Sequence, residues 1–461
     1  LMKTLKADVY APGAVVSKCV LILFCALALH ASAGSGGTTP GARPQRGASI
    51  KTDRARHSPR GVPTLPRAGG KFTDPVFGTE IMRVTDPATA PKGAGTNYSY
   101  WASFNADNTK LLVMDAAAQQ SASIYDFDPA TFTLGARLPP MPYSPPGNIP
   151  VRFDDACWSS EDPDVLYVHQ DLGTKIYKYK VSRQTYTLVG DVARILPRGQ
   201  NIQQMGMAAD NDTFSFNKRG GAPGYKQLGY AVYRASTNTI LFQHSEVVDE
   251  VRVDKSGRYL FVNTNEQGVG KIEVRIIDLV TGQVTGLTDD APDHAPSHYD
   301  VGTGMAVGNG NYLVGISARN LATPRTFTKI LDLSPEKNYG GFHLSMLADN
   351  EGWVLVSFYT PHVNGVMQGE VVQVATDGSG RVRRLFHHQA VGTGYYDSPR
   401  ANISRDGRFV AFTSNWGVAG ERHDMFVARI EPAPAAASKP APSPASRPRR
   451  ARASARSGNR P

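Results

Sequence analysis

The chain has 461 residues, of which 41% are hydrophobic and 20% are charged, so it can bury a large core and belongs with the globular proteins. Its net charge of +10 lies in the terminal segments, since residues 1–33 carry +2, residues 34–70 and 431–461 carry +6 each, and residues 71–430 carry −4. The mildly acidic centre argues against specific nucleic-acid binding by the folded part of the chain.

Residues 1–33 have the three parts of a secretory signal peptide. Lysines precede an apolar run at residues 19–29, and Ala31, Ser32 and Ala33 form a small-residue cleavage site. The apolar run has 11 residues, whereas a helix that spans a bilayer needs about 20. We therefore expect cleavage after Ala33, a secreted or periplasmic protein, and no transmembrane span in the mature chain. The long charged region before Cys19 leaves an uncleaved anchor as the alternative.

Two segments are too poor in large apolar residues to repay the entropy of ordering. Residues 34–70 and 431–461 are rich in Pro, Gly, Ala and Ser, and both are basic. We expect a disordered basic linker at 34–70 and a disordered tail at 431–461.

A repeat occupies the chain between these segments. Seven polar or glycine-containing bends each precede a run of β-branched or aromatic residues, which is typical of a hairpin that leads into a buried strand. The bends centre on Asn108, Pro163, Asp212, Gly257, Gly310, Gly352 and Gly407. They lie about 50 residues apart, a spacing that indicates propeller blades.

Most repeats also contain a third and a weaker fourth strand-like run, as in SASIYDFDPATFTLGARL at residues 121–138. The last repeat ends at residue 430 without a fourth run, and FGTEIMRVTDP at residues 77–87 resembles the missing strand. The sequence therefore predicts an all-β, seven-bladed propeller over residues 71–430, with four-stranded antiparallel blades. Pairing of the N-terminal strand with the last blade would close the ring and remove both free edges.

Several of these stretches resemble known propellers. SRDGRFVAFTSN at residues 404–415 resembles the strings of TolB-like and WD40-like propellers. Together with GFHLSMLADNEGWVLVSFY and RRLFHHQ, the stretch YYDSPRANISRDGRFVAFTSNWG resembles uncharacterised bacterial proteins related to oligogalacturonate lyases. The resemblance covers residues 71–430 and implies the fold more strongly than an activity.

For activity, the resemblance implies β-elimination of oligouronides with manganese or another divalent cation. The nearest equivalents of the metal ligands are His298, His343, His387 and Gln389. Arg400 stands where lyase-like chains tend to have the histidine of a PHxxS string. A guanidinium there opposes metal binding unless it holds a substrate carboxylate, in which case Arg400 would be catalytic.

The position of the bends also predicts which residues surround the channel mouth. Residues seven to ten positions before each bend should form its rim: Trp101, Asp154, Gln203, Asp249, Asp300, His343 and Arg400. The predicted ligand contacts are Trp101, Asp249, Asp300, His343, Tyr396, Arg400 and Trp416, centred on blades four to seven. Such polar groups and aromatic rings suit a carbohydrate or a peptide.

Three functions remain open from the sequence. A non-catalytic binder of a carbohydrate or peptide needs no cofactor, a lyase needs the divalent cation, and a propeller in the cell envelope can also serve as a platform for a protein partner. The chain contains no G-x-S-x-G, Walker A, H-E-x-x-H or C-x-x-C motif, so other common chemistries lack support. The sequence alone does not decide whether the protein is an enzyme.

Overall fold

The computed structural model describes residues 50–61, 64–115, 121–145, 148–220, 226–266, 268–310, 313–334, 341–359, 365–392, 394, 397–420 and 422–435. The predicted signal peptide lies outside these residues, as do residues 34–49 of the predicted linker and 436–461 of the predicted tail. Within the described ranges, no helix is long and apolar enough to cross a membrane.

Seven antiparallel sheets follow one another along the chain and form the predicted seven-bladed β-propeller. Two N-terminal strands, β1 (Lys71–Thr73) and β2 (Glu80–Arg83), precede blade one, which contains β3 (Ala94–Gly95), β4 (Lys110–Asp115), β5 (Ala122–Asp128) and β6 (Thr133–Arg137). Blade two contains β7 (Val151–Trp158), β8 (Val165–Gln170), β9 (Lys175–Lys180) and β10 (Thr185–Asp191). Blade three contains β11 (Gln200–Met207), β12 (Thr213–Gly220), β13 (Gln227–Arg234) and β14 (Thr239–His244).

The remaining blades repeat this plan. Blade four contains β15 (Val248–Val253), β16 (Tyr259–Thr264), β17 (Ile272–Asp278) and β18 (Val284–Thr288). Blade five contains β19 (Tyr299–Val301), β20 (Met305–Gly310), β21 (Leu313–Asn320) and β22 (Phe327–Asp332). Blade six contains β23 (Phe342–Ser345), β24 (Trp353–Phe358), β25 (Glu370–Ala375) and β26 (Val382–His387), and blade seven begins with β27 (Asn402–Ile403), β28 (Phe409–Ser414) and β29 (Asp424–Arg429). Short 3-10 helices at Val181–Arg183 and Ala193–Ile195 flank β10.

The middle strands are apolar on both faces because each blade is covered by a neighbour on either side. In β28, Phe409 and Ala411 pack into a core shared with blade one. Val410 and Phe412 point to the opposite face and pack into a core shared with blade six. The two-residue period of a strand therefore divides one hydrophobic run between two inter-blade cores.

The ring closes as the sequence predicts. Strand β2 pairs antiparallel with β29, with Ile81 opposite Ala428 and Arg83 opposite Phe426. Strand β1 then pairs with β2, so blade seven has five strands in the order β1-β2-β29-β28-β27. The two ends of the propeller thus share one sheet, which closes the ring.

Part of the predicted linker packs against blade six. Lys51 pairs with Arg384 of β26, and the Arg384 guanidinium donates hydrogen bonds to the carbonyls of Asp53 and Ala55. The same guanidinium forms a fully buried ion pair with Glu370. These contacts hold residues 51–55 along the outer strand of blade six, within the segment for which the sequence predicts a disordered linker.

The first residues of the predicted tail also lie against blade six. The indole nitrogen of Trp353 donates a hydrogen bond of 3.0 Å to the carbonyl of Pro434, and Asn350 donates to the same carbonyl. Arg383 donates to the carbonyl of Glu431. Residues 431–434 of the predicted tail therefore lie against blade six, and residues 436–461 lie outside the described residues.

The hairpin bends surround one mouth of the channel and are tied together across it. Arg405 of blade seven donates to the carbonyl of Ser160 in blade two and forms an ion pair of 3.0 Å with Asp349 of blade six. Lys255 of blade four donates a hydrogen bond of 2.8 Å to the carbonyl of Ala348. These links cross the bend side, so the larger cavity opens at the opposite mouth.

Replacing Ile81 by Ala tests whether ring closure contributes to stability. Ile81 is fully buried between blades six and seven, so we expect the free energy of unfolding to fall by about 2–5 kcal/mol. Urea denaturation measures this difference. Val280→Ala is the matched control, because Val280 is 76% exposed and its truncation should change the value by less than about 0.5 kcal/mol. Equal losses in the two variants would contradict the closure.

Candidate functional site

An aromatic segment of blade one crosses the channel. The inner strand of this blade is interrupted after Gly95, and pairing resumes only at the bridge between Phe104 and Leu111. Between these points, the indole nitrogen of Trp101 donates a hydrogen bond of 2.8 Å to the carbonyl of Met205 in blade three. Residues 96–102 thus leave the blade edge and contact the far wall.

Two tyrosines of the same segment reach the other side of the ring. The hydroxyl of Tyr100 donates to the carboxylate of Glu250 in blade four, and the ring of Tyr98 lies edge-on to His343 in blade six at 4.7 Å. The guanidinium of Arg252 lies over the ring of Tyr100 at 3.7 Å. Together with Trp101, these rings form an aromatic floor beneath the open mouth.

A cavity of about 690 Å³ lies above one half of this floor, over blades seven, one, two and three. Cationic side chains dominate its lining: Lys92, Arg152, Arg219, Arg400 and Arg422. Three carboxylates also line it, those of Asp115, Asp154 and Asp155. The cationic groups outnumber the acidic ones, so the cavity attracts anions, although the propeller as a whole is mildly acidic.

Hydrogen bonds to the walls hold several of the guanidinium groups in place. Arg219 donates to the side-chain oxygen of Gln203 at 2.7 Å. Arg422 donates to Asp424 at 2.5 Å and to the carbonyl of Pro91 at 3.2 Å. A side chain fixed in this way loses less conformational entropy when a ligand binds.

A smaller cavity of about 170 Å³ lies over blades three to six and shares Tyr98, Tyr100 and Gln204 with the first. Its lining includes two carboxylates, Asp249 and Glu250, and two imidazoles, His298 and His343. The mouth therefore contains a larger cavity lined by cationic side chains and a smaller cavity lined by carboxylates and imidazoles.

Burial controls protonation in this second half. Burial, with a smaller effect from the neighbouring Asp249, raises the pKa of Glu250 to about 7, while the hydrogen bond from Tyr100 opposes the shift. Burial also raises the pKa of Asp249. The pKa of His343 lies well below its ordinary value because the ring is buried and because His298 and Arg400 repel a second positive charge.

A histidine–aspartate pair borders the larger cavity. The Nε2 atom of His423 lies 2.9 Å from Oδ1 of Asp397, and the side chains are 16% and 12% exposed. The backbone amide of Gly394 donates to the other carboxylate oxygen at 2.7 Å. His423 lines the cavity together with Arg400 and Arg422, so an oriented imidazole adjoins the cationic cluster.

Six of the seven predicted rim residues line these two cavities. Trp101, Asp154, Gln203 and Arg400 line the larger one, and Asp249 and His343 line the smaller one. Asp300 does not, because its carboxylate is buried, accepts hydrogen bonds from the amides of Val301 and Met346, and borders a cavity on the bend side. The predicted ligand contact at Asp300 is therefore corrected to a structural role.

The structure does not assemble the predicted metal ligands. His298 and His343 are neighbours, with ring centroids 5.6 Å apart. His387 lies on β26, three strands outward from β23, which corresponds to about 14 Å, and its Nε2 contacts the carbonyl of His57. Gln389 follows β26 and lines neither cavity.

The donor set consequently does not fit a divalent cation. Among the described residues, no group of three or more His, Cys, Asp or Glu side chains is arranged to hold a metal ion. Among the described residues, the buried Nδ1 atom of His343 has no hydrogen-bond partner, and the positive charge of Arg400 acts on the same ring. This charge would weaken the binding of a cation at His343, and the four predicted manganese ligands do not come together in the folded chain.

Trp416 and the position of the site also need correction. The indole of Trp416 stacks on Phe426 at 4.9 Å and contacts Phe72 edge-on at 5.0 Å, so it packs in a hydrophobic core and lines neither of the two cavities described above. Tyr396 lies outside the described residues. The larger cavity extends over blades seven, one, two and three, whereas we expected the site over blades four to seven.

The sequence did not predict four of the five cationic groups or His423, because the rim was placed seven to ten positions before each bend and these residues lie outside those positions. The missed residues are Lys92, Arg152, Arg219, Arg422 and His423. One signal was present: Arg152 stands two positions before the predicted rim residue Asp154, so both side chains lie on one face of β7.

The fold is shared with solved lyase structures. No protein-family model matches this chain, and no curated protein gives a significant match in sequence. An oligogalacturonate lyase in complex with manganese is 13% identical, with a TM-score of 0.59, and the match covers 80% of this chain and 97% of that one. The oligogalacturonate lyase of Vibrio parahaemolyticus is 11% identical, with a TM-score of 0.58 and coverage of 78% and 96%. At this identity the likeness establishes the propeller fold alone.

The protonation of Glu250 predicts a pH dependence of stability. The pKa is 4.5 for an ordinary glutamate and about 7 in the folded chain, so the folded state binds this proton more tightly than the unfolded state. The free energy of unfolding therefore falls as pH rises through this window, by up to about 3 kcal/mol for this group.

Replacing Glu250 by Gln removes this titration, so the variant should lose less stability than the wild type between pH 4.5 and 7. Urea denaturation at several pH values measures the difference. Glu266→Gln is the control, because the Glu266 side chain is 47% exposed. Parallel pH profiles for the wild type and Glu250→Gln would contradict the assignment.

Proposed function

We propose that the protein binds an acidic oligosaccharide at the open mouth of its channel, with the carboxylates of the ligand in the arginine-lined cavity. The observation that carries the proposal is the group of four arginines and one lysine around a single cavity of about 690 Å³, in which Arg152 is ion-paired with Asp154 and Asp171 and the other three arginines face the ligand space. A guanidinium pairs with a carboxylate through two parallel hydrogen bonds, which gives both affinity and orientation. The volume lies within the range of small-molecule sites, about 300–1,000 Å³.

The rest of the lining supports a sugar as the ligand. Tyr98 and Trp101 offer apolar ring surfaces on which a pyranose can stack, and Asn97, Gln203 and Gln204 offer amides to its hydroxyl groups. An acidic peptide satisfies the arginines but uses the rings and amides less fully. The predicted export agrees with this proposal, since an exported binder meets extracellular acidic polysaccharides.

Titration calorimetry with trigalacturonate tests the proposal. We expect Arg219→Gln and Arg400→Gln each to weaken binding about 10- to 100-fold, because each removes a charge-assisted hydrogen bond worth about 1.5–3 kcal/mol. Arg258→Gln is the matched control, since Arg258 is 49% exposed at a hairpin bend on the other face and pairs with Asp278. Raising the salt concentration should weaken binding of the wild type.

Two comparison ligands make this experiment decisive. A neutral trisaccharide should bind far more weakly than trigalacturonate, and equal binding would show that the arginines are not used. An oligoglutamate that binds better than the uronide would replace the sugar by an acidic peptide. If none of the three ligands binds, the proposal is overturned, and a platform for a protein partner in the cell envelope is the remaining prediction.

β-Elimination of oligouronides is a second candidate function. The observation that favours it is Arg400, which lines the cavity at the position where lyase-like sequences tend to have a histidine. A guanidinium there can neutralise a uronate carboxylate, which is the first requirement for removing the adjacent proton. Ultraviolet absorbance of the unsaturated product, measured with and without manganese, tests this candidate. No absorbance change in either condition would remove it.

A further inference from the structure

We infer that His423, oriented by Asp397, is the general base that removes a proton from a uronate held in the arginine-lined cavity. This inference rests on the proposed binding of an acidic oligosaccharide and assigns the chemistry that the same site can perform. It needs no metal ion, since the charge of the carboxylate is met by guanidinium groups.

The fold fixes both members of the pair. His423 directly precedes β29, and its carbonyl accepts a hydrogen bond of 2.9 Å from the amide of Ala94, which ties blade seven to blade one. Asp397 lies in the loop that leads to β27, where the amide of Gly394 holds one carboxylate oxygen. A Cβ atom on Gly392 would lie 2.3 Å from that oxygen, so the loop can enclose Asp397 only with glycine there.

The geometry assigns the proton positions. A carboxylate accepts, so the 2.9 Å contact requires the proton of His423 to be on Nε2. The other nitrogen, Nδ1, then carries a lone pair and can accept a proton. Within the described residues, this contact with Asp397 is the only side-chain hydrogen bond of His423. Asp397 also stabilises the imidazolium that forms when the proton is taken up.

Removal of the C5 proton also requires positive charge near the carboxylate of the uronate, and charged groups around His423 supply it. Arg400 and Arg422 line the same cavity as His423, with Lys92 at its border. One guanidinium nitrogen of Arg422 donates a hydrogen bond to Asp424, so the positive charge of Arg422 is partly neutralised. A uronate carboxylate bound by the remaining donors would make its neighbouring C5–H bond more acidic, because the anion formed on proton loss is stabilised.

The step is balanced without an oxidant or reductant. The C5 proton moves to Nδ1 of His423, and the electron pair of the C5–H bond forms the C4=C5 double bond. The C4–O bond breaks, and the departing oxygen takes its electron pair and a proton, delivered by water or by the imidazolium. The products are an unsaturated uronide and a shortened saccharide with a free hydroxyl group.

The other histidines of the mouth are less suited to this role. The Nε2 atom of His343 lies 3.0 Å from the hydroxyl oxygen of Tyr359 and is hydrogen-bonded to it, and the Nδ1 atom is buried. The Nδ1 atom of His298 is hydrogen-bonded to the carbonyl of Phe342. Among the described residues, no carboxylate is hydrogen-bonded to the His298 ring. Both histidines line the smaller cavity, whereas Arg152, Arg219 and Arg422 line the larger one.

Three His or Asp variants, assayed with trigalacturonate, test the assignment. In His423→Gln, the rate of unsaturated product formation should fall about 100-fold or more, the usual contribution of a general base. In Asp397→Asn, kcat should fall while KM changes little, because the positioning partner is lost but the arginines remain. His244→Gln is the control, since this side chain is 55% exposed on the outer strand of blade three.

Two further measurements separate the possible failures. Calorimetry should show that His423→Gln still binds trigalacturonate within about three-fold of the wild type, which reports an intact cavity. Exchange of the C5 proton with deuterated water should occur in the wild type and be lost in His423→Gln.

Wild-type protein that binds the uronide but neither forms product nor exchanges its C5 proton would overturn this inference and leave the proposed binding intact. Turnover that persists in His423→Gln would overturn the assignment of the base. Wild-type protein that does not bind would overturn the proposed function and this inference together.

Discussion

The structure depends on one constraint: the middle strands of each blade are apolar on both faces, so no blade can exclude water from both faces by itself. β28 shows this directly, because Phe409 packs towards blade one while Val410 packs towards blade six. Each blade therefore needs two neighbours, and a linear stack would leave two faces exposed. Pairing of β2 with β29 removes both ends at once, since it joins the N-terminal strands to the last sheet.

Closure of the ring also determines where chemistry can take place. The inner strands converge on a channel, residues 96–102 cross it, and, on one side, Arg405 and Lys255 each tie the bend of one blade to that of the next blade but one. The other side remains open above an aromatic floor. A rim of polar side chains there is surrounded by packed sheets, so guanidinium groups can be held at fixed positions around a cavity that faces solvent.

The sequence predicted the number of blades and most of the rim because both follow from one repeat. Each inner strand runs from the mouth to the bend, so counting back from Asp212 and Gly257 located Gln203 and Asp249 correctly. The length of individual strands was harder to predict. β26 extends to His387, which moves that side chain to the outer strand.

Some features depend on tertiary contacts that no local pattern shows. Trp416 follows a strand that ends near the mouth, yet its ring turns back onto Phe426. Arg219 reaches the cavity because β12 continues for eight residues. His423 gains its significance from Asp397, 26 residues earlier in the chain, and their proximity follows only from the assembled blade.

The likeness to oligogalacturonate lyases concerns the fold alone. Manganese is bound in one of those structures, whereas in this chain the positive charge of Arg400 acts on His343, and the predicted ligands His343 and His387 lie on different strands. The open mouth of this propeller presents a cluster of guanidinium groups, several of them held by hydrogen bonds. Under the proposed function these arginines recognise the ligand, because a guanidinium selects carboxylates by geometry as well as charge.

The most direct test of this account is a crystal structure of the protein with an acidic oligosaccharide soaked at saturating concentration. The account predicts density for the sugar above Tyr98 and Trp101, with a carboxylate within hydrogen-bonding distance of at least two of the cavity's guanidinium groups. An empty arginine-lined cavity, with the sugar bound only at the bend side or on the outer strands, would contradict it.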